Sequence, residues 1–300
     1  MSTILITGAN GFIGGALLEK LRSTSHTVIG TSRSFDSHCR LFKCDLSDES
    51  DVCELFDHYD PDIIFHIAAN PITDIKKTGV HQIWQDNVMS TKNLLDYAKP
   101  NSKFIFASSV TVYSNESLKK GASEDDIPLP ASFYGFSKYV SERLVDDYSR
   151  EKGLMGVSGR LIATVGRGST HGVVHDLYKK YKTSNEIEVI GKHPGSRKPF
   201  IHISDVVRFF ETWVDKPFEK SYNVYNVCNQ DTVTVNAICG SIKSVLGIGG
   251  KENWTGASWV GDNLEVHVSN KKAVDELKYW PMYDSVDAIE STIEEYEENI

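Results

Sequence analysis

Tyr134 and Lys138 stand four residues apart in the run Tyr134-Gly135-Phe136-Ser137-Lys138. On a helix that spacing sets a phenol and an ammonium on one face. A neighbouring cation favours the phenolate and draws the tyrosine toward general-base chemistry. The same spacing recurs at Tyr148/Lys152 and Tyr178/Lys182, which read as ordinary helix-surface residues. Tyr134 differs in its surroundings. It opens its helix and follows Ser109, the last residue of the apolar run Phe104-Ile105-Phe106-Ala107-Ser108-Ser109. Parallel sheets gather their ligands at such strand ends.

A second constellation is Thr7-Gly8-Ala9-Asn10-Gly11-Phe12-Ile13-Gly14. Glycines at 8, 11 and 14 allow a tight turn and let a pyrophosphate approach a helix N-terminus. A glycine triplet alone also suits a plain turn, but its place between a strand and a helix favours a dinucleotide. The next strand ends Val28-Ile29-Gly30-Thr31-Ser32-Arg33-Ser34, with no acid before Asp36. A carboxylate there would take the ribose hydroxyl of NAD, whereas a basic group suits the 2′-phosphate of NADP. Ser32 and Arg33 therefore favour NADP over NAD; the competing reading makes Arg33 a solvated charge stacked on adenine. Asp45, followed by Leu46, either accepts from the adenine amino group or caps the next helix.

Such residues need elements that bring strand ends together. Strands are expected at 3–7, 26–31, 40–44, 62–67, 103–107 and 155–162, alternating with helices at 12–23, 49–58, 81–98 and 132–151. That alternation, with near-continuous apolar strands, predicts a doubly wound parallel α/β sheet of the Rossmann kind. Gly166–Thr170, Gly191–Pro199 and Gly247–Gly256 read as loops, 200–203 and 222–227 as strands, and 287–298 as an acidic terminal helix. The expected division is a dinucleotide-binding domain at 1–165, rejoined by 200–229, and a smaller α/β substrate lobe at 166–199 and 230–300.

The 300 residues are 40% apolar and 24% charged, enough for a sizeable core. A net charge of −9 lacks the basic stripe of a nucleic-acid binder. No apolar run approaches the roughly 20 residues of a membrane span, and the opening Met1-Ser2-Thr3-Ile4-Leu5-Ile6-Thr7 reads as a strand rather than a signal peptide. The five cysteines, Cys39, Cys44, Cys53, Cys228 and Cys239, contain no CxxC pair. Reduced thiols in a cytoplasmic protein without a metal are expected.

Further motifs accompany these in order: His66-Ile67-Ala68-Ala69-Asn70-Pro71, Asp86-Asn87-Val88-Met89-Ser90-Thr91 and Ser108-Ser109-Val110-Thr111-Val112-Tyr113. In the second half come Gly166-Arg167-Gly168-Ser169-Thr170-His171-Gly172-Val173, Phe200-Ile201-His202-Ile203-Ser204-Asp205-Val206, Tyr225-Asn226-Val227 and Trp259-Val260-Gly261-Asp262. Together they resemble the extended short-chain dehydrogenase/reductases, and within them the archaeal-type UDP-glucose 4-epimerases, over nearly the whole chain. The resemblance implies Tyr134 as general base, Lys138 as its electrostatic partner and ribose ligand, and Ser109 as donor to the substrate oxygen with Thr111 as helper. It implies cofactor contacts at Gly8, Gly11, Phe12, Ile13, Gly14, Ser32, Arg33, Asp45, Leu46, Ala68, Ala69 and Asn87, the last orienting Lys138 through water. Arg167, His171, Arg197, Lys198 and Asp262 become the candidate sugar-nucleotide contacts. A homodimer packed through 80–99 and 132–151 is also implied.

Three departures bear on the reaction. Thr31-Ser32 stand where the family epimerases carry an acid, Ala163 where they carry an asparagine, and no arginine precedes Gly261-Asp262. Val110 and Val112 flank Thr111 where the family's 4,6-dehydratases place an Asp-Glu pair, so that elimination has no proton carrier. The expected function is a nucleotide-sugar 4-epimerase, against an NADP-dependent reductase or dehydrogenase of a keto-sugar and, more remotely, a non-catalytic dinucleotide sensor.

Overall fold

Ile4-Leu5-Ile6, Ile63-Ile64-Phe65 and Phe104-Ile105-Phe106 are apolar at consecutive positions, which suits strands covered on both faces. All nine side chains are at most 2% exposed. The computed structural model describes residues 1–34, 41–257 and 264–298. In chain order its elements begin β1 (Thr3–Thr7), α1 (Phe12–Arg22), β2 (Thr27–Ser32), β3 (Phe42–Lys43), α2 (Glu49–His58), β4 (Ile63–His66), α3 (Ile75–Thr78) and α4 (Val80–Ile83). A π turn (Trp84–Met89), α5 (Ser90–Tyr97), β5 (Lys103–Ser109), a 3-10 turn (Val110–Val112), α6 (Asn115–Lys120), α7 (Phe133–Glu151), β6 (Met155–Leu161) and β7 (Ala163–Val165) follow. Then come α8 (Val173–Thr183), β8 (Glu186–Val189), β9 (Arg197–Lys198), β10 (Phe200–His202), α9 (Ile203–Asp215) and β11 (Tyr222–Val227). The last are β12 (Val233–Thr234), α10 (Val235–Leu246), β13 (Lys251–Trp254), α11 (Lys271–Leu277) and α12 (Ser285–Glu297).

The central sheet is parallel and seven-stranded, in the order β11-β6-β5-β4-β1-β2-β3. This is the doubly wound α/β fold. The strand order reverses at β1, so the ends of β1, β4 and β5 face the crevice where such sheets take ligands. Contacts divide the chain into two compact units. The first comprises Met1–Ser114, Ile127–Leu161 and Val207–Tyr225; the second comprises Asn115–Asp126, Ile162–Val206 and Asn226–Ile300. This division differs from the expected boundaries at 115–126, 162–165, 200–206 and 226–229. Residues 115–126 join the second unit because Leu118 and Ala122 exchange backbone hydrogen bonds with His267 and Ser269. β10 joins it because it pairs in parallel with β7.

In the first unit, Leu5, Ile64, Phe104, Leu94, Leu95 and Val145 pack into one core cluster. α9 adds Phe210 edge-on to Phe65 and Trp213 against Tyr225. In the second, Val174, Leu177, Tyr178 and Tyr181 of α8 meet Val235, Ile238 and Ile242 of α10 and Ile289 of α12. Three expectations are corrected, the first being the loop anticipated at 191–199, which contains β9, paired with β12. The helix anticipated at 81–98 is interrupted by the π turn, where the Ser90 amide reaches back five residues to Gln85. The loop anticipated at 247–256 contains β13, paired with β8. Among the described residues no helix is long and apolar enough to cross a membrane.

One lysine fastens α9 to the sheet. Lys103, the first residue of β5, donates to the carbonyls of Trp213, Val214 and Lys216 at 3.0, 2.8 and 3.0 Å. These are the orphan acceptors of a helix C-terminus, and the cation complements its negative pole. Lys103→Met is expected to cost about 2 kcal/mol, the upper end of a partly buried helix-terminal charge. Urea denaturation checks it, and an unchanged midpoint would mean the carbonyls are as well served by water.

Candidate active site

The turn after β1 is built by close backbone approach. Gly8 has φ +66°, and a Cβ there would lie 2.9 Å from Ala68 Cα. A Cβ on Gly14 would lie 2.2 Å from the Gly8 carbonyl oxygen, so both positions demand glycine. The Ala9 amide donates to Thr31 O at 3.0 Å and Gly11 to Gly8 O at 2.9 Å. Gly11 stands at the N-cap of α1, which has no side-chain cap and no acid in its first turn. A glycine cradle opening on an uncapped helix N-terminus fits a dinucleotide pyrophosphate.

Ser109, Tyr134 and Lys138 come together at the end of β5. Ser132 caps α7 through Gly135 N at 3.1 Å, and Gly135 packs so tightly that a Cβ would lie 2.2 Å from Thr111 O. Tyr134 is half-buried, and its phenol is hydrogen-bonded to the Ser109 hydroxyl. Ser109 also accepts from Thr111 N at 3.2 Å and Thr111 Oγ1 at 3.0 Å. Lys138 is buried; its Nζ donates to Ala107 O at 2.8 Å and lies 4.7 Å from the Phe106 ring centroid. Burial pushes the Tyr134 phenol up to about 12, the Ser109 hydrogen bond opposing it. Burial draws Lys138 down to about 7, with the Glu142 carboxylate opposing.

Several partners of this set escaped the sequence reading. His66 at the end of β4 meets Thr7 Oγ1 at 2.9 Å and Thr91 Oγ1 at 3.0 Å. Burial, helped by the Lys138 charge, draws it down to about 3, so it stays neutral. Thr7 Oγ1 also accepts from the Ile67 and Ala68 amides, both at 3.1 Å. Asn87 sits in the π turn, a device that recurs at functional sites. Its Oδ1 accepts from Asn70 N at 2.7 Å, and its Nδ2 donates to Asn70 O and to Ser137 Oγ at 3.2 and 3.0 Å. Asn87 therefore ties the 67–70 segment to α7 through Ser137, the residue before Lys138.

The adenosine-side candidates are differently engaged. Arg33 gives Nη1 to Asp86 Oδ1 at 3.0 Å while its side chain stays 61% exposed. Asp86 also accepts from Gln82 at 3.0 Å and Asn70 at 2.8 Å. Arg33 is thus neither a free loop charge nor a cation wholly available to a phosphate. Ser32 Oγ accepts from Ser34 N at 3.2 Å, and Asn10 donates to Ser34 Oγ at 3.3 Å. Asp45 Oδ1 accepts from Ser47 N and Oγ at 3.0 and 2.7 Å, a local turn. The carbonyl of buried Leu46 accepts from Asn93 at 3.0 Å.

In the second unit, Arg197 and Lys198 form β9, which pairs with β12. Arg197 is exposed and donates to Thr232 Oγ1 at 3.4 Å. His171 is exposed. Arg167 borders a cavity of about 790 Å³ with Tyr178, Lys179 and Tyr296. Asp262 lies outside the described residues. Tyr148 and Tyr178 are not the plain surface residues expected. Tyr148 gives its hydroxyl to Asp96; Tyr178 is 8% exposed and gives its hydroxyl to Glu297 at 2.5 Å.

Comparison with protein families matches residues 4–228 to the NAD dependent epimerase/dehydratase family. The chain belongs to that family. It is an enzyme of the extended short-chain dehydrogenase/reductase type. An uncharacterised UDP-glucose epimerase of Bacillus subtilis is 28% identical over 272 residues, covering 81% of this chain and 82% of that one. A dTDP-4-dehydro-6-deoxyglucose reductase of Escherichia coli is 25% identical over 264 residues, covering 81% of each. A crystal structure of UDP-galactose 4-epimerase superposes with a TM-score of 0.84 at 25% identity, covering 99% of each chain.

Proposed function

We propose that this enzyme is a nucleotide-sugar 4-epimerase of the UDP-hexose type, acting through transient oxidation at C4. The observation that carries the reading is the intact Ser109/Tyr134/Lys138 set at the end of β5, with Tyr134 hydrogen-bonded to Ser109 and Lys138 buried beside it against the Ala107 carbonyl. The similarity to the B. subtilis UDP-glucose epimerase and to the UDP-galactose 4-epimerase structure supports the substrate class. Gly8, Gly11, Phe12, Ile13 and Gly14 would hold the pyrophosphate of a nicotinamide dinucleotide and Asp45 and Leu46 its adenine. Ala68, Ala69 and Asn87 would line its path, and Tyr134 with Lys138 its second ribose. Such a cofactor, when bound, accepts hydride from C4 and returns it.

This chain's own residues move the proton. Tyr134 takes it from the C4 hydroxyl and gives it back after the keto-sugar has turned. A phenol near 12 is protonated at neutral pH, so it needs help to act as a base. The Lys138 ammonium on the same helix face and the Ser109 hydrogen bond favour the phenolate. Ser109, with Thr111 behind it, then hydrogen-bonds the sugar oxygen. Arg167, His171, Arg197, Lys198 and Asp262 are proposed to meet the sugar nucleotide. One observation favours a second reading, a keto-sugar reductase. Ala163 is exposed on β7 where the related epimerases carry an asparagine, and the E. coli relative is described as a reductase.

Incubation with UDP-glucose, UDP-galactose and their N-acetyl forms, with oxidised cofactor only, is expected to yield the C4 epimer of at least one pair. Tyr134→Phe should lower that turnover about 10²–10⁴-fold, the scale of general acid–base catalysis, while still binding cofactor. Tyr148→Phe should leave turnover unchanged. Absence of any epimer, with oxidation of reduced cofactor on adding a 4-keto sugar, would install the reductase.

Within the NAD-dependent family, the proposed preference of this chain is for NADP. No acid lies in the described end of β2, where Asn10, Ser32 and Ser34 are linked by hydrogen bonds and Arg33 stands between the two serines in sequence. Arg33 keeps donors beyond the one given to Asp86. A charge-assisted contact is worth roughly 1.5–3 kcal/mol, so Arg33→Ala should weaken NADP by about one to two decades and leave NAD unchanged. Calorimetric titration of both cofactors decides it; equal losses for the two would show that Arg33 serves only Asp86.

A homodimer is proposed through the 80–99 and 132–151 helices. Phe136, Val140 and Leu144 make a stripe at four-residue spacing on α7 that stays wholly or partly exposed, and Trp84 and Met89 are also partly exposed. Light scattering should give twice the 33.5 kDa chain mass, and Phe136→Glu should halve it. A monomer before mutation would remove the proposal.

A further inference from the structure

Glu142 lies one turn beyond Lys138 on α7 and is 2% exposed. Its Oε1 accepts from Arg160 Nε at 2.9 Å and Ser108 Oγ at 2.5 Å, and its Oε2 from Arg160 Nη2 at 2.7 Å. Arg160 is 4% exposed and gives Nη1 to the Tyr113 hydroxyl at 2.8 Å. Ser108 and Arg160 are register partners across β5 and β6, and Ser108 immediately precedes Ser109. A buried ion pair is a weak source of stability, because desolvation offsets most of its attraction. Apolar residues could fasten the helix to the strands as well. What only charges can contribute here is an electrostatic environment for the ammonium one turn away.

We propose that Glu142 is a positioning residue that sets the protonation balance of the Tyr134–Lys138 pair, with Arg160 as the counter-charge that keeps Glu142 from fixing Lys138 as a permanent cation. The proposal rests on the reading of Tyr134 and Lys138 as the proton-handling pair. The titratable and charged groups facing Lys138 are Tyr134 and Glu142 from α7, His66 from β4 and, through Glu142, Arg160 from β6. Tyr113 lies behind Arg160, and Tyr222 faces the ion pair and also feels the Asp146 charge. His66 is neutral, so the charges that act are those of Glu142 and Arg160. Glu142 is the group that opposes the effect of burial on Lys138.

The two halves of the pair have opposite signs. Glu142→Gln leaves the Arg160 charge uncompensated, which disfavours the ammonium and moves the Lys138 titration to lower pH. Arg160→Met leaves the carboxylate uncompensated and moves it to higher pH. A purely structural role predicts no such sign reversal. The test is ¹³Cε NMR of lysine in the cofactor-free protein, with the Lys138 signal assigned by its loss in Lys138→Arg. The expected order of titration is Glu142→Gln, then the double variant, then the native protein, then Arg160→Met. The single variants should shift it in opposite directions by at least about one pH unit, the scale on which a nearby charge moves a buried group. Shifts of the same sign, or none, overturn the proposal. Should either single variant fail to fold, Glu142→Gln/Arg160→Met decides alone: a Lys138 titration below the native one supports the proposal, and an unchanged one overturns it. The readout needs no turnover. A Tyr134→Phe enzyme with full activity would sink the catalytic reading while leaving this ordering of titrations to be judged on its own.

Discussion

The bidentate pair of Glu142 and Arg160 fixes how α7 lies on β5 and β6, and the geometry of the site follows from that seating. Gly135 rests on the Thr111 backbone, Ser137 on Asn87, Lys138 on the Ala107 carbonyl and Glu142 on Ser108 and Arg160. Positions 135, 138 and 142 follow the i, i+3, i+7 rhythm of one helix face. A slip of one residue would turn that face by about 100° and carry the phenol away from Ser109. Removing one partner of a buried pair typically costs about 3–5 kcal/mol, because the other charge is left without compensation. The cost falls on the loss of either partner, so the two residues hold this seating together even though apolar side chains could fasten the helix as firmly.

The same burial that permits this seating presses on every titratable group at the ends of the strands. It drives the Tyr134 phenol up to about 12, Lys138 down to about 7 and His66 down to about 3. All three shifts favour the neutral form, as desolvation requires. The charges retained here, Glu142 and Arg160, are held as a hydrogen-bonded pair. In such surroundings a single added charge acts more strongly than in water. The reactivity of Tyr134 is therefore set by which charges lie beside it, and the fold keeps their number small.

The parts of this arrangement that were legible in the sequence are those written in local spacing. The glycine turn, the Tyr134/Lys138 interval and the apolar run ending at Ser109 each span a few residues, and their chemistry can be read before any strand order is known. The pairs Arg33–Asp86 and His66–Thr91 lie 53 and 25 residues apart, and only the folded topology brings them together. Arg160 did leave a signal: a charge inside the strand run Met155–Leu161 must find a partner, and Glu142 is in phase with Lys138. α8 and α10 were missed although they carry a helical period, with buried residues at 174, 177, 178 and 181 and at 235, 238, 239 and 242. The Gly/Ser/Lys-rich segments around them masked that period, as the glycines at 247, 249, 250 and 256 masked β13.

The family is easier to read than the substrate because the two depend on different parts of the chain. The glycine turn, Ser109, Tyr134 and Lys138 all lie in the first unit, at strand ends and on α7, where packed neighbours fix each of them. The residues proposed for the sugar nucleotide lie in the second unit. Arg167, His171 and Arg197 are exposed there, on loops or on a two-residue strand. Segments of that kind accept substitution with little effect on the core. Ala163 illustrates the point: it is exposed on β7 while its register partner Phe200 is buried. A polar side chain at 163 could be gained or lost without disturbing that core, so the positions proposed for substrate can vary singly while the proposed proton-handling set stays where α7 holds it.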